Sequence, residues 1–330
     1  MLRDLGYTYR ESGNLARVIP ILEEANHMAE NHTEQNWTRE RSHVLNILAW
    51  TFREMFQLDM AKEYMRMCVT VTREAFGGQH KEFIERLCNY GIILHDRWEN
   101  EEAIKVLEEA RYLIEHYQNE QFIRAQVINY TAKIHLRWFL GLIYSEEKTK
   151  KVSNHLRSSK ELHEQALKIY SQLYGQHKGR FNAGTMMTYA VVLRYYGKLD
   201  YALELCQKAV EIYRAAGHIT WPRAATWLAD IHLAREEHVT AVRILEDVQS
   251  EHERRALNIS PGAYHPKALL GEARVLVGEV VTGKTLLEEC LAEWKALNLD
   301  GEHYWLVRTK SFLKSLKLKR LSSGVSVQKW

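Results

Sequence analysis

Large apolar residues recur along the chain at intervals of three and four positions, with charged residues between them. That spacing is typical of amphipathic α-helices, which bury one stripe of their surface. Within it a longer pattern repeats. A large apolar residue precedes a Gly or Ala, an apolar or aromatic residue follows three positions later, a turn residue comes after four more, and a small residue after a further five. This pattern predicts pairs of helices joined by short turns.

The Gly or Ala of this pattern, here called the anchor, occurs in seven copies, at Gly6, Ala49, Gly91, Gly141, Ala190, Ala229 and Gly271. A second small position follows in the partner helix of most copies, as at Ala61, Ala103, Ala202, Ala241 and Gly283. Small residues let two helix backbones approach closely, and large apolar residues fill the remaining space. Because one helix pair cannot bury its apolar surface alone, successive pairs are expected to stack.

The Leu-Gly, Tyr, Gly, Ala, large apolar, Ala sequence resembles the tetratricopeptide signature, from Leu2 to about Trp294. Anchors are mostly near 42 residues apart, rather than the usual 34. This length resembles the repeats of kinesin light chains and nephrocystin, as do the turns FGGQH, LYGQH and AYHP and the segment LNILA. The resemblance implies an all-α fold, a right-handed superhelical solenoid of antiparallel helix pairs, with about seven repeats and a C-terminal capping helix.

That subtype carries a ladder of asparagines on its first helices, and the resemblance implies that the ladder serves peptide binding. Here Asn46 supplies only one of the two asparagines of its copy, and Asn89 is one residue out of step in the next. We therefore expect the ladder to be mostly absent.

Residues 1–320 are predicted to form the repeat array, with an irregular polar insertion near residues 145–159. Residues 321–330 are predicted to be a disordered tail. Met1 falls inside the first helix of the first copy, without the end cap that a repeat array usually needs. We therefore expect the chain to be a fragment, or to descend from a longer protein with an N-terminal domain.

Composition narrows the choice of function. The net charge is only +3, which gives no electrostatic case for binding nucleic acid or a membrane surface. The N-terminus has no apolar signal segment, and no apolar run is long enough to span a bilayer. The four cysteines include no Cys-x-x-Cys pair, and none of the histidines has the spacing of a zinc site. We predict a cytoplasmic protein that is not an enzyme and has no metal or other cofactor.

One motif suggests a different function, nucleotide binding. Residues 278–285, GEVVTGKT, match the phosphate-binding pattern Gly-x4-Gly-Lys-Thr, and a remote alternative is a nucleotide-hydrolysing enzyme that uses Lys284. The repeat explains the same residues differently. Gly278 corresponds to the turn glycines Gly13 and Gly197, and Gly283 corresponds to the small position of the second helix.

The first helices of such arrays line a groove, and residues near each anchor point into it. We predict a scaffold that binds a protein or peptide partner there. Aromatic and arginine side chains are common anchors of protein interfaces, and this mixed surface would suit a peptide with an acidic element. The predicted partner-binding residues are Asn46, Trp50, Arg53, His95, Trp138, Met187, Arg194, Tyr195 and Asp230.

For the two tryptophans among them, Trp50 and Trp138, packing between neighbouring helices is an equally good interpretation. A second function is also open: the array could be the C-terminal sensor or regulatory region of a larger signalling ATPase of the NACHT or NB-ARC kind. That alternative rests on analogy between repeat arrays.

Overall fold

The computed structural model describes residues 15–32, 34–55, 57–97, 99–117, 120–144, 150–174, 180–218, 220–254, 264–296 and 304–321. Over these residues the chain forms fourteen α-helices and no strand. In chain order they are α1 (Leu15–Glu30), α2 (Gln35–Glu54), α3 (Leu58–Phe76), α4 (Lys81–Asp96), α5 (Asn100–Ile114), α6 (Gln121–Leu142), α7 (Lys150–Tyr174), α8 (Arg180–Tyr195), α9 (Leu199–Ala215), α10 (Trp221–Ala234), α11 (His238–Arg254), α12 (Tyr264–Leu276), α13 (Val280–Ala296) and α14 (Tyr304–Leu321). The predicted all-α repeat fold is confirmed.

The chain divides into two compact units, Met1–Ile134 and His135–Trp330. In the first, α1 to α5 each pack against the next helix along the chain. In the second, α7 to α14 do the same, and α14 also packs against α12. The first unit has a continuous apolar core contributed by every one of its helices, including Leu22, Leu48, Met65, Leu94 and Leu107, all fully buried.

Close approach of helices at the small positions is directly visible. A Cβ built on Gly91 of α4 would lie 2.8 Å from a side-chain carbon of Leu107 in α5. A Cβ on Gly271 of α12 would lie equally close to Leu287 of α13. On Gly283 it would lie 2.5 Å from the carbonyl oxygen of Gly271, a distance that real Cβ atoms do not show. The two helices of each pair therefore touch where the sequence carries its small residues.

This packing accounts for the motif that resembles a phosphate-binding loop. The residues before it belong to α12, where a nucleotide-binding loop would follow a strand. Gly278 lies in the turn between helices, with a φ of +99° that favours glycine. The amide of Gly283 donates to the carbonyl of Glu279, and Lys284 lies 3.4 Å from Glu288 on the same helix. Both glycines have the structural roles that the repeat assigns them.

The fourth copy departs from the others. In α2, α4, α8, α10 and α12 the anchor lies five residues before the last residue of the helix, but Gly141 immediately precedes the end of α6. Residues 150–159 of the predicted insertion belong to the helix α7, and residues 145–149 lie outside the described part of the chain. Also outside it are the first anchor, Gly6, and residues 322–330 of the predicted tail.

Recurrent polar contacts fix the turns between helices. Arg97 follows α4 and pairs with Asp59 and Glu99, and Arg235 follows α10 and pairs in the same way with Asp200 and Glu237. His80 precedes α4, and its Nδ1 accepts a hydrogen bond from the amide of Glu82 at 3.2 Å. A side chain that accepts from an amide of the first helical turn is an N-cap. His80 is therefore the N-cap of α4.

All four cysteines are free thiols in buried positions on helices. Cys68 and Cys206 are fully buried and belong to the packed surfaces of their helices. Burial raises the pKa of each thiol, to about 12 for Cys290. Among the described helices, none combines the length and apolar character needed to cross a bilayer.

Substituting Gly283 with alanine tests the close contact between α12 and α13. Alanine in an unhindered helix site would stabilise the protein by about 1 kcal/mol relative to glycine. Here the added methyl group collides with the α12 backbone, and overpacking of this kind costs about 1–3 kcal/mol. We expect a net loss of unfolding free energy in urea denaturation. The matched control is Val281→Ala on the same helix, where the side chain is 78% exposed and we expect little change. A Gly283→Ala protein more stable than the wild type would contradict the packing role.

Candidate functional site

The first candidate surface lies on the first helices of the first unit. The side-chain amide of Asn89 on α4 donates to the Oδ1 of Asn46 on α2 at 3.0 Å. The two asparagines are therefore neighbours although they differ by one position within their copies, and the structure retains one contacting pair of the ladder. Asn129 follows on α6; it is 3% exposed, and its Oδ1 has no hydrogen-bond partner among the described residues.

A charged pair lies about two helical turns further along the same two helices. The Nε of Arg53 on α2 lies 2.6 Å from the Oδ2 of Asp96 on α4. The guanidinium of Arg53 also lies over the ring of Trp50, 4.8 Å from its centroid, and His95 Nδ1 is 3.3 Å from the other oxygen of Asp96. These side chains are half-buried. The structure thus brings together the four predicted residues of this unit, Asn46, Trp50, Arg53 and His95, which with Asn89 and Asp96 are called the asparagine face below.

The second candidate surface lies in the second unit, where first helices meet the C-terminal helix. Arg194 of α8 pairs with Asp230 of α10 at 2.7 Å. Arg308 of α14 also pairs with Asp230 at 2.7 Å, and it donates to both carboxylate oxygens of Glu272 on α12 at 2.8–3.1 Å. Asp230 is fully buried and the Arg308 and Glu272 side chains are at most 9% exposed. These four residues are called the ion cluster below.

Burial and ion pairing act in opposite directions on the two carboxylates of the cluster. Burial alone would raise the pKa of Asp230, but the guanidinium groups of Arg194 and Arg308 hold it below its usual range. Burial raises the pKa of Glu272, against the opposing effect of Arg308. Both carboxylates therefore depend on neighbouring guanidinium groups for their charge.

Aromatic rings surround the ion cluster. The hydroxyl oxygens of Tyr195 on α8 and Tyr304 on α14 are 2.8 Å apart, and burial raises the pKa of Tyr195 to about 12. Trp227 of α10 packs against Trp305 of α14, with ring centroids 5.1 Å apart. Arg194, Tyr195 and Asp230 were predicted as partner-binding residues. Here Tyr195 and Asp230 contact the chain's own last helix, and Arg194 pairs with Asp230. Met187, the fourth predicted residue on these helices, is 4% exposed.

Trp138 lies elsewhere in the second unit, at a histidine pair. Its ring stacks on His155 of α7 at 4.4 Å between centroids, while His155 Nδ1 lies 2.9 Å from the Nδ1 of His135 on α6. One ring nitrogen must donate and the other accept, so the accepting ring must be neutral. Burial, together with His155, lowers the pKa of His135 to about 4.

Several residues of both surfaces escaped the sequence analysis. Arg308, Glu272 and Tyr304 gave no signal because charged or hydroxylated residues on helices usually face solvent. Asn89 did give a signal, since it lies 43 positions after Asn46, close to the repeat length.

Comparisons with known proteins agree with this architecture. A family model described as tetratricopeptide repeat matches residues 42–82, which run from α2 to the start of α4. No curated protein matches the sequence. The apo form of RapI is similar in structure, with a TM-score of 0.61 and 11% identity, covering 95% of this chain and 98% of that chain.

Two further solved structures belong to the same class. A putative kinesin light chain of Podospora anserina with nearly identical TPR-like repeats gives a TM-score of 0.49 at 16% identity, covering 66% of this chain and 97% of that chain. A signal-transduction ATPase of Pyrococcus horikoshii with a tetratricopeptide-repeat sensor gives 0.51 at 13% identity, covering 98% of this chain and 43% of that chain. This protein is therefore a tetratricopeptide-like helical repeat protein, as its sequence pattern predicted.

Neutralising Asp230 tests how far the second unit depends on the ion cluster. In Asp230→Asn, Arg194 keeps its buried charge without a carboxylate partner, and broken buried pairs of this kind cost about 3–5 kcal/mol. We expect a loss of that size in urea denaturation. The matched control is Asp200→Asn, which removes a carboxylate from a similar pair with Arg235, but at a side chain that is 94% exposed. There we expect a change of at most about 1 kcal/mol. Equal losses in the two variants would contradict the role of burial.

Acid should destabilise the protein through the histidine pair. Because the folded protein keeps His135 neutral down to about pH 4, the unfolded chain binds an extra proton between its usual pKa near 6.5 and that value. The free energy of unfolding should therefore fall as the pH drops from about 6.5 to 4, and this fall should be smaller in His135→Gln. An NMR titration in which His135 gains its proton near pH 6.5 would refute this.

Proposed function

We propose that this protein is an interaction scaffold that binds an extended peptide segment of a partner protein on the asparagine face. The tetratricopeptide-like repeat fold supports a scaffold role in general. The observation that carries the finer proposal is the hydrogen bond between Asn46 and Asn89. It fixes two side-chain amides side by side on adjacent helices.

The chemistry of that pair suits a peptide backbone. In the bond between them, Asn89 uses a donor and Asn46 uses its oxygen, so Asn46 retains the donors of its amide nitrogen and Asn89 retains its acceptor. One peptide unit offers one acceptor and one donor. The two amides therefore match a main-chain segment without demanding a particular side chain.

The neighbouring side chains add preference for certain partners. Trp50 supplies an aromatic surface, and Arg53 is held in place by both Trp50 and Asp96. A guanidinium fixed in this way can share its donors with a second carboxylate. We therefore propose an apolar residue and an acidic residue in the bound peptide, near Trp50 and Arg53 respectively.

A selection from a random peptide library on the full chain tests the asparagine face. Selected peptides should bind at least tenfold more weakly to Asn46→Ala and to Asn89→Ala, because each variant removes an amide that contacts the peptide backbone. The matched control is Arg66→Ala on α3, whose side chain is 61% exposed and pairs with Glu63 of the same helix. Fluorescence anisotropy with a labelled peptide measures each affinity.

Peptides that bind both asparagine variants as tightly as the wild type would place the binding site elsewhere on the chain. Selection of no peptide at all would remove the proposal. Circular dichroism of each variant shows that the helices are intact.

A second candidate function is a sensor region within a larger signalling ATPase. It is favoured by the likeness to the Pyrococcus horikoshii protein, in which a tetratricopeptide-repeat sensor accompanies an ATPase. Sequencing of the transcript upstream of the Met1 codon tests it, and the expected result is an in-frame nucleotide-binding domain. A stop codon directly upstream would refute it.

A further inference from the structure

The last helix, α14, reaches beyond the last repeat. A cap needs to cover only α12 and α13, yet Tyr304 meets Tyr195 of α8 and Arg308 meets Asp230 of α10. With Glu272 of α12, the helix contacts the first helices of three successive pairs. It therefore lies on the surface where a repeat array of this kind presents its predicted partner-binding residues.

The charge balance shows what this surface requires. To the ion cluster, the three first helices contribute one cation, Arg194, and two anions, Asp230 and Glu272. Arg308 of α14 supplies the missing positive charge and lies within hydrogen-bonding distance of both carboxylates. Without α14, the surface would carry two carboxylates and a single guanidinium.

The shape of the site selects a guanidinium rather than a simple ammonium. Arg308 uses Nε and Nη2 toward the two oxygens of Glu272, and Nη1 toward Asp230 and the hydroxyl of Tyr304. Such a fork of donors is specific to arginine, whereas lysine offers a single point charge. Aromatic rings from the same first helices, Tyr195 and Trp227, meet Tyr304 and Trp305, which precede Arg308 by one helical turn.

Other features favour replacement of α14 on this surface by another helix. Buried ion pairs favour one arrangement over others but add little net stability, because desolvation offsets the attraction. Thr309 is fully buried beside Arg308, and its hydroxyl has no hydrogen-bond partner among the described residues. The opposite side of α14 is exposed and polar, with Lys310, Ser311, Lys314 and Lys317. The fit is therefore specific but incomplete.

We propose that the first-helix surface of the second unit is an arginine-recognition site, and that α14 fills it as a built-in competitor of a partner. The partner is a helical segment that carries an arginine preceded by aromatic residues three and four positions earlier. Binding of that segment releases α14. This site is separate from the asparagine face and does not depend on the function proposed there.

Binding of a labelled peptide to the full chain tests the proposal. The probe is a fluorescent peptide with the sequence of residues 302–317, EHYWLVRTKSFLKSLK. Wild-type protein should bind it weakly, because the tethered helix competes at a high effective concentration. The variant Arg308→Ala weakens the tethered helix and should bind the probe at least tenfold more tightly. The matched control is Lys310→Ala, an exposed residue of the same helix, which should behave like the wild type.

A second experiment changes the peptide instead of the protein. A probe in which the residue equivalent to Arg308 is alanine should bind the Arg308→Ala protein at least tenfold more weakly, and a lysine probe should also lose affinity. The variant Asn46→Ala should leave binding of the probe unchanged, which separates this site from the asparagine face. Equal binding by wild-type and Arg308→Ala proteins, or equal binding of the arginine and alanine probes, would overturn the proposal.

A version that keeps Arg308 covers the case in which Arg308→Ala fails to fold. A protease site is placed within residues 297–303 of the full chain, and cleavage leaves α14 held only by its contacts. The labelled peptide should then replace the cleaved helix, as measured by gel filtration. A cleaved helix that stays bound in a large excess of labelled peptide would show that α14 is a permanent structural element, and the proposal would fall.

Discussion

The contact on which the fold depends is the close approach of two helix backbones within a pair. Gly283 and Gly271 meet with no room for a side chain between them, and Gly91 leaves space only for the side chain of Leu107. Such contacts bring the large apolar residues on either side within reach of each other. Burial of those residues then supplies most of the stabilisation, at about 25 cal/mol per Å² of apolar surface. The position of every side chain on the first helices follows from this spacing.

Much of the fold could be predicted from the sequence because this contact requires small residues at fixed intervals within each copy. A small residue at a fixed interval from a turn, such as Gly283 after Gly278, is recognisable in one chain without any structure. The fourth copy differs at Gly141, which lies one residue before the end of its helix rather than five. A small residue next to a large one is common in any helix, and only the surrounding pattern identifies an anchor.

The candidate site was less predictable because it depends on residues distant in the sequence. Arg53 and Arg194 lie at equivalent places in their copies, and each pairs with an aspartate of the next first helix, Asp96 or Asp230. The repeat spacing therefore indicated both arginines, but not their partners, which lie at different positions of their copies. It gave no indication of Arg308, which lies outside the repeat pattern and 78 positions from Asp230. Two surfaces with similar composition thus differ in burial: the Arg53 pair is half-buried, whereas Asp230 is covered completely.

The four buried thiols have a practical consequence for the study of conformational change. A thiol reacts as its thiolate, and the raised pKa values leave almost none of that form at neutral pH. In the folded chain we therefore expect Cys68, Cys88, Cys206 and Cys290 to react very slowly with alkylating reagents. Because Cys68 and Cys88 lie in the first unit and Cys206 and Cys290 in the second, the native sequence already contains a separate reporter of opening for each half. The rate at which each pair becomes alkylated measures how often its own part of the array separates.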